Sequence, residues 1–242
     1  MLKKELILRN PLRWMGRENQ DILPAGGLGA LMARAGVGKT AFMVQIALNS
    51  LLHGKNVLHV SLNEPVQKVS LWYEEVISHL AEQFAVKNTQ EFWEAVLPHR
   101  FIMTFRVEGF SAISLEERLN ELTDQDIFLP QIIIIDGLPF DSGVRNPLSD
   151  LKSLARRQGL QIWFTIRTHR HEAPSAEGLP APFAPVEDLF EIALQLQPIE
   201  REIHVKPLKG GPWTSDPTTL LLDPNTMIIK PLDDIIPASS SA

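Results

Sequence analysis

An α/β fold with a mostly parallel, twisted sheet flanked by helices, followed by C-terminal antiparallel hairpin strands, is predicted by three observations. Strand-like and helix-like segments alternate along most of the chain, the pattern that winds a parallel sheet with helices on both faces. The octapeptide ARAGVGKT at 33–40 joins an apolar strand-like run to a helix with apolar periodicity. A block of isoleucines ends at Asp136, and such a continuous β-branched run suits a strand buried on both faces.

Taken in order, GLGALMA is a strand leading into the octapeptide, and AFMVQIALNSLL continues from it as a helix up to Gly54, a C-terminal stop. NVLHVSL is a strand ending at Asn63 and Glu64, and Pro65 opens a long helix reaching about Ala85. KNTQEFWEAVL gives a short helix and RFIMTFRV a strand. SLEERLNEL reads as a helix with Ser114 as N-cap and Glu117 completing a capping box. After the isoleucine strand come the helix SDLKSLARRQG and the strand LQIWFTIR. Residues 168–186, rich in Pro, Ala and Gly without periodicity, read as a mobile loop. FEIALQLQPI, REIHVKPL, TTLLLD and TMIIKPL read as short antiparallel strands or hairpins. Trp72, Trp93 and Trp163 fall on apolar faces and are assigned to the core.

Length and composition narrow the function classes. With 242 residues, 44% of them hydrophobic, the chain supports one large core, so a single domain is expected over 1–235 with a disordered tail at 236–242. A net charge of -6 argues against a surface built broadly for nucleic acid or anionic lipid, while leaving room for local basic loops. The absence of cysteine excludes disulfides, thiolate metal sites and thiol nucleophiles. No apolar run approaches a membrane span and the N-terminal segment lacks a signal-peptide core, so a cytoplasmic location away from membranes is expected. Of the seven histidines only His169 and His171, flanking Arg170 in the 168–186 loop, show ligand-like spacing, and metal binding is not expected there.

The octapeptide carries the chemistry. Its small residues, Ala33, Ala35, Gly36 and Gly38, let backbone N–H groups from Arg34 and Val37 through Ala41 curl around phosphate oxygens at a helix N-terminus. Lys39 then reaches the β- and γ-phosphates and the Thr40 hydroxyl ligates Mg2+. Ala33 stands where the strict pattern has glycine. Asp136, at the carboxyl end of its strand, is placed to hold the water shell of the same ion. The bland alternatives are a ligand-free strand-to-helix turn and an ordinary Asp-Gly turn. Neither accounts for the two occurring together.

Two strand signals, 56–62 and 101–108, lie between the octapeptide and Asp136, which resembles the division of P-loop NTPases with an extra strand inserted and a glutamate that polarises the attacking water. Nucleotide kinases and small GTPases fit less well. Gly137 follows Asp136, so that glutamate comes from elsewhere. At SLNEPV the chain resembles the RecA-like ATPases, particularly their KaiC-type and DnaB-type branches, whose corresponding strand often ends in Ser-Leu-Glu or Phe-Glu-Glu. SLNE keeps a carboxylate only at the second acidic position. The resemblance implies that Glu64 orients water; the alternative is that it complements the helix N-terminus after Pro65.

GVGKTAFMVQIAL, with Gln45 and Ala47, and LKSLARRQGLQIWFTIR extend the resemblance. Arg167, close to Thr165, falls where these families carry a γ-phosphate-sensing glutamine, with a solvated charge as the alternative. IHVKPLKGGPW resembles the Lys-x-Arg-x-Gly segment that such proteins push into a neighbouring subunit's ATP site. Lys209 then takes the arginine-finger position, and the preceding basic position becomes Pro207 or shifts to Lys206. A lysine offers a point charge rather than a planar fork, so weaker catalysis is implied, or simply a basic hairpin. The resemblance further implies ATP and Mg2+ as ligands and a homo-oligomer, ring or filament. Its channel loops, 137–150 and 168–186, would bring Arg145, Arg167 and Arg170 towards DNA phosphates. The acidic residues in these loops and their few aromatics favour solvated loops instead. The expected function is an ATP-binding and ATP-hydrolysing protein whose nucleotide state controls oligomerisation or partner binding; the alternative is an ATPase acting on DNA in recombination, repair or replication.

Overall fold

A computed structural model describes residues 22–83, 89–170, 172–211 and 220–231. The strands are β1 (Leu28–Ala33), β2 (Val57–Ser61), β3 (Arg100–Thr104), β4 (Ile132–Asp136), β5 (Gln161–Arg167), β6 (Ile192–Ile199), β7 (Glu202–Lys209), β8 (Leu220–Leu222) and β9 (Ile229–Pro231). The α-helices are α1 (Lys39–Leu52), α2 (Val66–Gln83), α3 (Thr89–Val96), α4 (Ala112–Asp124) and α5 (Arg145–Gln158). The strands form one sheet in the order β3-β2-β4-β5-β1-β6-β7-β8-β9. From β3 to β6 the pairing is parallel, and from β6 to β9 it is antiparallel. The tail at 236–242 and His171 lie outside the described residues.

The isoleucine run explains how one strand serves two cores. Successive side chains point to opposite faces, so Ile132 and Ile134 enter the layer with α1, α2, α3 and the β8–β9 hairpin, while Ile133 and Ile135 enter the layer with α4 and α5. Helix α1 is apolar nearly all round because it is covered on every side, with residues from Ala41 to Leu48 all buried. Trp163 is buried, and Trp72 and Trp93 pack against the same core, as expected. Lys152, itself buried, pairs with Glu191, whose other carboxylate oxygen accepts the Leu28 N–H at 2.7 Å; this ties α5 to the start of β1.

Two expectations need correction and one is extended. Helix α4 begins at Ala112 with Ser111 as N-cap, and Ser114 sits inside the first turn as the other half of the capping box. A serine three residues upstream of Ser114 competes for the same cap and wins because it stands at the bend. Strand β6 forms the expected antiparallel hairpin with β7, and its other edge in addition joins β1 in parallel. The segment expected to be a mobile loop is anchored in its second half, where Phe183 and Val186 are buried in the α4–α5 layer. The apolar and proline residues of that stretch lacked periodicity, but periodicity is not required of a loop that plugs a core.

His59 on β2 is fully buried and meets the Tyr73 hydroxyl at 3.1 Å. Burial, against the opposing pull of Asp136, lowers its pKa to about 4. The unfolded chain, with an ordinary pKa near 6.5, therefore binds a proton more readily than the folded one. Stability from this group is complete above that value and lost as pH falls towards 4, by at most about 3 kcal/mol. Urea midpoints of wild type and His59→Gln are expected to differ by a constant above pH 6.5 and to converge or cross below it. A pH-independent difference would mean that His59 does not titrate in this window.

Candidate nucleotide-binding site

The octapeptide leaves β1 at its carboxyl end and becomes the first turn of α1 at Lys39. Gly38 caps the helix at φ 100, a left-handed conformation in which a side chain is strained. Gly36 faces open space, with nothing within 4 Å of where a Cβ would stand. The Lys39 ammonium folds over the loop and donates to the carbonyls of Ala33 at 3.1 Å and Arg34 at 3.0 Å. Burial holds its pKa below the ordinary lysine value; Asp136 pulls it up and Arg167 pushes it further down. A partly desolvated ammonium at the N-terminus of a helix is an arrangement suited to a polyanion.

Insertion of β5 between β1 and β4 sets the rest of the geometry. It separates Asp136 from the loop by one strand width, and the Thr40 hydroxyl spans the gap to donate to Asp136 Oδ2 at 3.0 Å. On the other side Thr165, from the inserted strand, donates to Asp136 Oδ1 at 2.5 Å and accepts the Gly137 N–H at 3.1 Å. Two hydroxyls thus fix the carboxylate in one orientation. A hydroxyl and a carboxylate in contact form the hard oxygen donor set suited to Mg2+, which keeps several waters and shares phosphate oxygens. Among the described residues there is no cluster of three or more His, Cys, Asp or Glu that could hold a metal ion.

Glu64 follows β2 and reaches the same cleft, about 540 Å³ in volume, which is lined also by Lys39, Asn63, Asp136, Thr165 and Arg167. Its N–H is held by Ser61 Oγ at 3.0 Å, and its carboxylate, 42% exposed, pairs with Lys68 at 2.8 Å. Asn63 packs so closely on Gly137, at φ 97, that a Cβ there would lie 2.2 Å from its amide nitrogen. The Asp-Gly pair is therefore a requirement of the β2–β4 contact. Arg167, opposite Ala33 in the β1–β5 register, is exposed at the rim.

Lys209 is not brought into this cleft. It donates to the Glu187 carbonyl at 2.8 Å and carboxylate at 2.7 Å. The strand register carries it back level with Ala30, away from the phosphate loop, whereas Lys206 stands level with Met32 beside the loop. Arg145 is likewise committed, gripping Asp188 through two bonds of 2.8 and 2.7 Å and the Pro185 carbonyl at 2.7 Å. It is a strut for the 168–190 segment rather than an available cation. Ala41 is buried in the first turn of α1.

Two further polar residues matter to the structure around the cleft, Thr165 in its lining and Gln45 in the helix that follows the loop. Thr165 was visible as a polar residue in an apolar strand, LQIWFTIR, yet only the sheet order reveals that it touches Asp136. Gln45, on an otherwise apolar helix, is buried and bridges the Met227 carbonyl and the Ile229 N–H, each at 2.8 Å.

A lysine-bearing strand-to-helix loop, bridged by its threonine to an aspartate on a strand one removed, defines the P-loop nucleotide-binding proteins, with an ATPase-type arrangement. The chain belongs to the AAA domain family, which it matches over residues 8–166, through most of β5. No curated protein matches it significantly. Among the described residues no helix is long and apolar enough to cross a membrane.

Proposed function

We propose that the chain is a RecA-like ATPase of the KaiC/DnaB type, one that binds ATP with Mg2+, hydrolyses it slowly, and uses its nucleotide state to control assembly with copies of itself or with a protein partner. The observation that carries this reading is the convergence of Lys39, the Thr40–Asp136 pair and Glu64 on one cleft. Thr40 and Asp136 would hold Mg2+, which supplies charge neutralisation at the β- and γ-phosphates. Lys39 leaves its two carbonyl partners for phosphate oxygens and stabilises the charge that develops there. Glu64 accepts a hydrogen bond from the attacking water and orients it in line with the γ-phosphate, which requires its carboxylate to turn from Lys68. Arg167, at the rim, is placed for the terminal phosphate.

Lys209 is proposed to act in trans: the register sets it away from its own phosphate loop, and its side chain, partly exposed, would have to exchange Glu187 for a neighbour's nucleotide. Light scattering is expected to give a larger particle with Mg-ATP than without it. Mixing Lys209→Ala with Glu64→Gln chains, each inactive alone, is expected to restore part of the turnover, since one interface then joins an intact Glu64 to an intact Lys209. An unchanged size with ATP argues against assembly control. Absence of rescue in proven mixed oligomers leaves Lys209 as the partner of Glu187 and nothing more.

A second reading, an ATPase acting on single-stranded DNA, draws on a separate cleft of about 400 Å³ beside the phosphate loop, where Arg34, Arg170 and Lys206 face Gln195 and Gln197, with Glu172 as the opposing carboxylate. Affinity for an oligonucleotide that rises with ATP and falls steeply with salt supports it. Lack of binding at low salt removes it.

A further inference from the structure

The phosphate site has a direction. Thr40 meets Asp136 on the β4–β5 side, and Glu64 lies beyond Asp136 on that same side, so the terminal phosphate and its attacking water belong there. The nucleoside must therefore leave the loop on the opposite flank. That flank is occupied by a part of the chain outside the matched family segment: a Cβ on Gly38 would stand 2.6 Å from Leu222 and 3.0 Å from the Met227 sulfur.

The loop between β8 and β9, 223–228, is built as a rigid wall. Asp223 accepts the Asn225 N–H at 2.9 Å and the Lys230 ammonium at 2.8 Å, and its carbonyl accepts the Met227 N–H at 2.7 Å. Gln45 holds the Met227 carbonyl from below, and His79 on α2 meets the Thr226 carbonyl at 2.8 Å. This bracing keeps Met227 at φ 56, a conformation a non-glycine residue rarely adopts. Met227 is part-exposed and packs beside the core together with Val37 of the phosphate loop, and Asn225 is exposed at the tip. A polarisable thioether next to a free carboxamide is the combination that accepts an aromatic ring by its face and its polar edge.

We infer that the 223–228 loop is the nucleoside wall of the site, with Met227 packing on the base and Asn225 hydrogen-bonding its edge. This rests on the phosphate-loop reading and extends it to the part of the ligand that distinguishes a nucleotide from a bare polyphosphate. Because the wall is fixed to α1 through Gln45 and to α2 through His79, base recognition is carried by the C-terminal hairpin while phosphate recognition is carried by the N-terminal half.

The test compares ATP with inorganic tripolyphosphate, both with Mg2+, by calorimetry on the full chain. Wild type is expected to bind ATP more tightly than tripolyphosphate. Asn225→Ala and Met227→Gly, the second chosen because glycine relieves the positive φ, should each weaken ATP by about tenfold, the size of one lost hydrogen bond or packing contact, and leave tripolyphosphate unchanged. Thermal melts of both variants show whether the hairpin is intact. Equal loss for both ligands means that the loop only supports Gly38 and overturns the inference, as does an unchanged ATP affinity in both variants or a wild type that does not prefer ATP. If wild type binds neither ligand, the phosphate-loop reading itself fails and the wall falls with it.

Discussion

Lys39→Ala is expected to abolish measurable ATP binding or turnover while leaving the fold intact. The ammonium bonds only to two carbonyls of its own loop, so its removal uncovers no buried partner elsewhere in the core. It also removes a charge that burial disfavours, the reason its pKa is lowered, and stability should be unchanged or slightly raised. On the ligand side a hydrogen bond to a charged group is worth about 1.5–3 kcal/mol, which alone weakens binding by about 10- to 100-fold before the lost stabilisation of the reacting phosphate is counted. Asp136→Asn separates the two halves of the site. Thr40 and Thr165 can still meet its side chain, but the metal loses its carboxylate, and nucleotide binding should lose its Mg2+ dependence. Calorimetric titration of ATP with and without Mg2+ reads both variants. An unchanged affinity in Lys39→Ala would be incompatible with a phosphate-binding loop.

Glu64→Gln should bind ATP as wild type does and turn it over about two to four orders of magnitude more slowly, the usual contribution of a positioned general base. The structure makes the alternative role small. The Glu64–Lys68 pair is solvent-exposed and one helical turn apart, and such pairs contribute about 0–1 kcal/mol. Loss of that pair, or of the carboxylate near the α2 N-terminus, is a stability effect that cannot reach a hundredfold in rate. Lys68→Ala supplies the control: it breaks the same ion pair but keeps the carboxylate, so its turnover should equal or exceed that of wild type. Equal single-turnover rates for Glu64→Gln and wild type would remove Glu64 from the chemistry, and a slow Lys68→Ala would transfer the role to the pair.

Periodicity and turn chemistry are local, and wherever a feature depended on neighbours in sequence it was legible. The ARAGVGKT loop, the isoleucine strand ending in Asp136 and the alternation of helices and strands all follow from residues a few positions apart. The same local view misplaced the cap of α4, because Ser111 and Ser114 are equivalent serines until the chain direction at the bend is known. It foresaw the antiparallel β6–β7 hairpin but not the parallel contact of β6 with β1, because an eight-residue strand carries no mark of which neighbour its other edge will join.

What the amino-acid sequence determined by itself was the class of fold and the segment proposed to hold phosphate, since a strand, a loop and a helix N-terminus form one contiguous stretch whose backbone is suited to an anion. What only the tertiary structure decided was everything assembled across strands. The order β4-β5-β1 brought Thr165 onto Asp136, the β2–β4 register set Asn63 against Gly137, the β6–β7 register set Lys209 level with Ala30, away from the phosphate loop of its own chain, and the last hairpin came to rest on Gly38. The reason is physical: a strand pattern states which face is apolar, whereas strand order and register are settled by the packing of both sheet faces at once, through partners as far apart in the chain as Gln45 and Ile229.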